Sequence, residues 1–342
     1  MRFFTLLIFI LFISCEKSDI TKNLDAQKGD IFIVNGGDNS ITLINSETLE
    51  KKNQFFLESK ENTFAHHISF NHDKSEFSIA FPEFDFALAH DNLHFVTALG
   101  NVGVFDSKTG KRKLFFGVPF ANYNTVFSKK SDEIWTGLMS HSGKVNIYAD
   151  LTGSLIKEIP VGPDPSELLI VNNGANAVIA CGETSFLTVI DTEKKEIIKE
   201  IKIDPYPTNV WPGWAEDVVF VENAVRNSLN VVNISTLTVT DYIDFPFKPG
   251  MMVYNPVNQE IWICAGPSLN KVFIYKKESG KWEKINEIET ENDPHQLAFF
   301  DNDSKAVIIN QKSNSALIFD VNTRKQLKKI ITGSKPNGIA VW

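Results

Sequence analysis

Cysteine is nearly absent from this chain. Of the three in 342 residues, Cys15 lies next to the N-terminus and only Cys181 and Cys264 remain beyond it, too few for a disulfide framework. Also missing is any long apolar run past residue 13, and the single run, Phe3 to Ile13, is 11 residues long. A helix needs roughly 20 to cross a bilayer, so no transmembrane helix is expected. Basic charge is short too, with 34 Lys and Arg against 42 Asp and Glu and a formal net charge of -8. That balance argues against a nucleic-acid partner, because such binding rests on neutralising phosphates. There is no G-x-S-x-G elbow, no P-loop and no H-E-x-x-H, so the catalytic motifs with a known mechanical signature are lacking.

What is present at the N-terminus reads as an export signal. A lone Arg2, an uncharged stretch from Phe3 to Ile13 broken only by Thr5, and Ser14-Cys15 at its close have the form of a secretory leader. Phe12-Ile13-Ser14-Cys15 resembles a bacterial lipobox, which implies removal of residues 1–14 and acylation of Cys15. Glu16-Lys17-Ser18-Asp19 is similar to the short acidic stretch of surface-exported lipoproteins. Residues 15–28 are polar apart from isolated apolar side chains and are expected to be a flexible tether between lipid and domain. A membrane lipid is then the first expected partner, with the protein in the cell envelope, at the outer membrane or cell surface.

Residues 29–342 are built from a repeat. The stretch IFIVNGGDNSITLINSETL at 31–49 lies on AVIINQKSNSALIFDVNTR at 306–324 without a gap, and 177–195 follows the same pattern. Asn39-Ser40, Asn227-Ser228 and Asn314-Ser315 share one repeat position; Asn45, Asp106, Asp191, Asn233 and Asp320 share another. A further strand precedes each unit, and the residue just before it is His66, Tyr123, Ser166, Thr208, Gly250, His295 and Asn337, at spacings of 57, 43, 42, 42, 45 and 42. A period near 42 with four short strands per unit predicts an all-β, seven-bladed β-propeller. The strand at 338–341 has no second strand after it, and the unit at 31–49 has no innermost strand before it. Pairing the two in one blade would close the ring and leave no open edge.

The segments SELLIVNNGANAVIACGETSFLTVIDTEKKEIIKEIKI and TGSKPNGIAVW resemble the YVTN-type (YncE-like) propeller repeat. The resemblance spans about residues 29–342 and implies an extracytoplasmic propeller, similar to those that hold haem d1 or flank copper centres in denitrification enzymes. It transfers no catalytic residue, since propellers host many unrelated functions.

Histidine is the one residue type whose placement is pointed. The loops leading into the inner strands and those joining second to third strands share one face of a propeller. His66, His67 and His295 start inner strands, and His141 falls in a second-to-third loop. His90 and His94 fall in the long blade-two loop that accounts for the spacing of 57, and only His72 maps to the other face. Imidazole is the commonest metal ligand, so these six are the candidate ligand-binding residues, with His66, His295, His90 and His94 as possible metal ligands. The competing reading is that polar histidines collect in loops and hydrogen-bond there. Trp211 and Trp214 flank Pro212-Gly213 as a stacking surface or as packing between blades.

Three functions follow. The first is a lipid-anchored protein that captures a small ligand on the histidine face, such as a metal complex, haem or a corrinoid, with a metal ion or tetrapyrrole as its cofactor. Surface propeller lipoproteins that deliver corrinoids to outer-membrane transporters resemble this arrangement of anchor, tether and blades, which implies a transporter as a further partner. The second is a protein-interaction scaffold in an envelope complex. The third is a lyase or an oxidoreductase subunit, for which no constellation in the sequence calls.

Overall fold

A computed structural model describes residues 23–88, 97–223, 225–265 and 269–342. The leader, Cys15, His90 and His94 lie outside the described residues. Within them the chain forms seven four-stranded antiparallel sheets. The innermost strands are β4 (His66–Phe70), β8 (Val126–Phe127), β12 (Pro165–Val171), β16 (Asn209–Pro212), β20 (Pro249–Asn255), β24 (Pro294–Phe300) and β28 (Pro336–Val341). Each lies beside the next, and β28 lies beside β4, so the ring is closed. The expected seven-bladed β-propeller is the fold.

Closure occurs in blade one, whose sheet order is β28, β1 (Ile31–Asn35), β2 (Ser40–Ile44), β3 (Lys51–Phe56). Ile31 pairs with Val341 and Ile33 with Ile339, and Gly29 and Trp342 extend the ladder through Gly29 N–H to the Trp342 carbonyl. Seven apolar clusters fill the seven gaps between neighbouring blades. Strands β1 and β2 and much of every second and third strand are buried along their whole length, because each sheet has a neighbour on both faces. Their near-continuous apolar runs are the sequence trace of that burial.

The repeated asparagines have physical work at both positions. Asn39, Asn227 and Asn314 adopt the left-handed conformation, with φ of 50°, 55° and 50°, which asparagine tolerates better than most residues. Asn39 Oδ1 also accepts the Ala65 N–H at 2.6 Å, Asn314 Oδ1 accepts that of Lys335 at 2.8 Å, and Asn270 does the same for Asp293 at 3.1 Å. In these blades the hairpin thus clamps the loop that leads into the next inner strand. The second set, Asn45, Asp106, Asp191, Asn233 and Asp320, caps the outer turn by accepting backbone N–H groups two or three residues on, as Asx turns do.

Residues 24–27, expected in the tether, are packed against the ring. Leu24 and Ala26 are buried, and their N–H groups donate to the carbonyls of Thr109 and Lys108. Their isolated apolar side chains fill the outer end of the core between blades one and two. Cys181 and Cys264 are buried free thiols, and burial pushes the Cys181 thiol up to about 12.

Deleting residues 337–342 strips the inner strand from blade one and exposes the β1 edge. The whole domain should then lose stability in one transition, read as a large fall in Tm. An unchanged Tm would contradict closure by β28.

Candidate functional site

In three blades the residue at the start of the inner strand reaches toward the next blade, and these contacts build a first tier at the channel mouth. Asn337 Nδ2 donates to the Ala65 carbonyl at 2.9 Å and Ser166 Oγ to that of Thr208 at 2.5 Å. His66 does the same with its ring, Nδ1 lying 2.7 Å from the Tyr123 carbonyl. A carbonyl only accepts, so Nδ1 carries the proton and Nε2 is the candidate ligand atom.

The next residue along each inner strand forms a second tier, His67, Asn124, Glu167, Asn209, Met251, Gln296 and Gly338, and here most side chains interlock. Gln296 Oε1 accepts the Ile339 N–H at 3.1 Å, which orients the amide so that its Nε2 faces His67 Nε2 at 2.7 Å. His67 Nδ1 lies 2.8 Å from Glu167 Oε2. Glu167 Oε1 in turn accepts Asn124 Nδ2 at 2.6 Å, and Asn124 Oδ1 accepts the Leu168 N–H at 3.1 Å. A chain of polar contacts therefore runs from blade one through blades seven and two to blade four, where Asn124 of blade three joins it.

A local backbone irregularity puts His67 there. It has φ of 50°, and the pairing of β4 with β5 (Glu76–Ala80) shifts register between His66 and Ser69, a bulge that re-aims a side chain. The bulge is accommodated because Gly338 faces it: a Cβ on Gly338 would sit 2.9 Å from the His67 Cα. His66 and His67 consequently stack, with ring centroids 4.3 Å apart, and Tyr123 meets both edge-on at 4.5 and 5.0 Å. From the blade-two insertion Phe86 packs on His66 at 5.1 Å, and Asp85 pairs with Lys335 of blade one. The described part of that insertion therefore does reach the histidines.

His295, half-buried at the start of β24, completes a group of three. One ring nitrogen each from His66, His67 and His295 lie within 4.8 Å of one another. His66 and His67 are not channel-surface residues, being only 2% and 7% exposed, because the neighbouring rings close over them. His141 stands apart. It is 66% exposed and lies 3.6 Å from Glu183 and 4.0 Å from Asp164, on the same face but in a separate cluster. His72 is exposed in the turn after β4.

Sequence reasoning passed over the buried acids beside this group. Trp211 is buried between blades and donates Nε1–H to Glu222 Oε2 at 2.7 Å, while Trp214 is 40% exposed and stacks on Trp282 on the other face. Burial pushes the Glu222 carboxyl up to about 7, against the bonds from Trp211 and Asn209 and the charge of Lys248, and Glu167 adds to the rise. Burial, with Glu167 and Glu222 behind it, also holds the Tyr123 phenol well above its ordinary range. The signal that would have found Glu167, Gln296 and Asn124 is the second repeat position, polar in five of seven blades where an inner strand would ordinarily place apolar residues.

Comparison by sequence with protein-family models and with curated proteins returns no match. Solved structures match over nearly the whole fold. A putative 6-phosphogluconolactonase from Bacteroides fragilis is 14% identical with a TM-score of 0.70, covering 92% of this chain and 98% of that one. The periplasmic gluconolactonase of Pseudomonas aeruginosa is 10% identical with a TM-score of 0.70, covering 91% and 98%. A dihydro-haem d1 dehydrogenase is 11% identical with a TM-score of 0.65, covering 94% and 77%. At such identities the likeness is one of fold, and the fold is a seven-bladed β-propeller.

Glu222 gives the site a measurable pH signature. Its folded pKa of about 7 exceeds the unfolded value, so between roughly pH 4.5 and 7 the folded state holds a proton that the unfolded state has lost. Stability should fall across that window by about 3 kcal/mol as pH rises. Denaturation at pH 5 and pH 8 should show the slope in the parent and little of it in Glu222→Gln; an equal slope in both would contradict the assignment.

Proposed function

We propose that the protein is a binding protein whose channel mouth takes a borderline divalent transition metal, held by His66, His67 and His295. The observation that carries this reading is the convergence of three imidazole nitrogens within 4.8 Å. His66 places Nδ1 on the Tyr123 carbonyl, and His67 Nδ1 lies 2.8 Å from the Glu167 carboxylate. Ligating imidazoles are oriented elsewhere by such contacts at the nitrogen that does not bind the metal, and imidazole suits zinc, copper, nickel and iron. The depth of His66 and His67 favours an ion or small chelate over a haem or corrinoid, whose macrocycle needs an exposed axial ligand.

Zinc or cobalt titration of the metal-free protein tests it. His66→Asn keeps a side-chain donor for the Tyr123 carbonyl and removes Nε2, so it tests ligation without vacating a packed position; alanine there would remove a buried ring. His66→Asn combined with His295→Ala should weaken binding by at least a hundredfold. Parent protein that binds neither ion better than micromolar would defeat the reading.

The lipobox-like Phe12-Ile13-Ser14-Cys15 supports placing this site in the cell envelope, on a lipid anchor at Cys15 with the ring beyond a short tether. Cys15→Ala should move the protein from the membrane fraction to the soluble one. Continued fractionation with membranes would remove the anchor from the account.

A further inference from the structure

The second tier contains a feature that ligation of a metal does not require. One ring nitrogen of His67 joins the cluster, and Nε2 faces the strand that carries His295, yet that nitrogen already accepts a hydrogen bond from Gln296 Nε2 at 2.7 Å. The amide has no easy alternative orientation. Its oxygen accepts the Ile339 N–H of β28 at 3.1 Å, so a flip would set donor against donor at Ile339 and oxygen against lone pair at His67. On the far side of the ring Glu167, held by Asn124 at Oε1, brings Oε2 to 2.8 Å from His67 Nδ1, and a carboxylate there favours a proton on that nitrogen. The amide donor therefore sets the ring proton of His67 on Nδ1 and caps the lone pair of Nε2.

We propose that Gln296 is the gate and specificity determinant of the site. While the amide stays on His67 Nε2 that imidazole is closed to a metal, which recruits it only by displacing Gln296. This rests on the metal-binding reading of the three histidines and says how that site is regulated. The site then selects for ions with a strong preference for nitrogen ligands, since weaker ones do not repay the lost hydrogen bond. Glu167 is a positioning residue. It touches no metal, but it fixes which His67 nitrogen can reach one and makes that nitrogen more basic.

Two measurements on the full mature chain test this, with zinc and cobalt ions as probes. In metal-free protein with nitrogen-15 labelled histidine, the NMR signature of His67 should be that of the Nδ1–H tautomer, which is the minor form of a free imidazole. Finding Nε2–H, or an imidazolium at pH 7.5, overturns the gate whatever the metal result. In titrations, Gln296→Leu should bind zinc roughly fivefold more tightly, the scale of one neutral hydrogen bond no longer displaced. His67→Ala in the same background should cancel the gain, and Gln296→Leu should convert the cobalt spectrum toward that of a three-imidazole site at lower metal. If Gln296→Leu binds no more tightly while His66→Asn still weakens binding, the gate is wrong and the metal site stands. If neither the parent nor Gln296→Leu binds either ion, both fall. Should Gln296→Leu fail to fold, the tautomer of the parent decides the gate alone.

Discussion

Strand β28 has no partner near it in sequence. Its ladder forms with β1, some 300 residues earlier, and every other blade depends on that pairing, because a ring of sheets packed face to face is stable only when no face and no inner edge is left bare. The seven apolar clusters between blades are equivalent in kind, so opening any one interface exposes two large apolar faces. The rigidity that results lets seven loops present side chains at a fixed separation around one axis. A group such as His66, His67 and His295, drawn from blades two and seven across blade one, has meaning only on such a frame.

The frame also explains why the channel mouth is polar. Inner strands place their side chains toward neighbouring blades, and where they open at the mouth the backbone carbonyls of the first tier need donors. Asn337, His66 and Ser166 supply them. Part of the histidine placement is therefore structural, and His66 does with Nδ1 what Ser166 does with Oγ. A serine would have satisfied the carbonyl. The ring brings a second nitrogen that the Tyr123 carbonyl does not use, and that is what makes the position a candidate ligand.

The fold was legible in the sequence because its period is long and its punctuation is chemical. Asn39, Asn227 and Asn314 recur where a left-handed residue is required, and Asn45 or Asp320 where an outer turn needs an acceptor. The opposed incomplete units at residues 31–49 and 338–341 gave the closure. The site was only half legible. His66 and His295 were found because they share a repeat position, the residue before each inner strand, whereas Glu167, Gln296 and Asn124 open the strands themselves, where apolar side chains are the expectation. The bulge at His67 could not be read either, since it depends on the absence of a side chain at Gly338, far away in the chain. Burial of His66 is likewise a tertiary effect, produced by Phe86 from the blade-two insertion.

Closure by β28 has a further consequence, in the order of events as the chain is made. Strands β1, β2 and β3 emerge first, but blade one can be completed only when the last residues arrive. Throughout that interval β1 carries an unpaired edge and an apolar face, Ile31, Ile33 and Ile44, whose partners do not yet exist. Loop-closure entropy over such a span makes the final pairing slow, and an exposed apolar edge is what aggregation feeds on. Blade one, whose outer three strands precede every other blade in the chain, is thus the last of the seven to be completed.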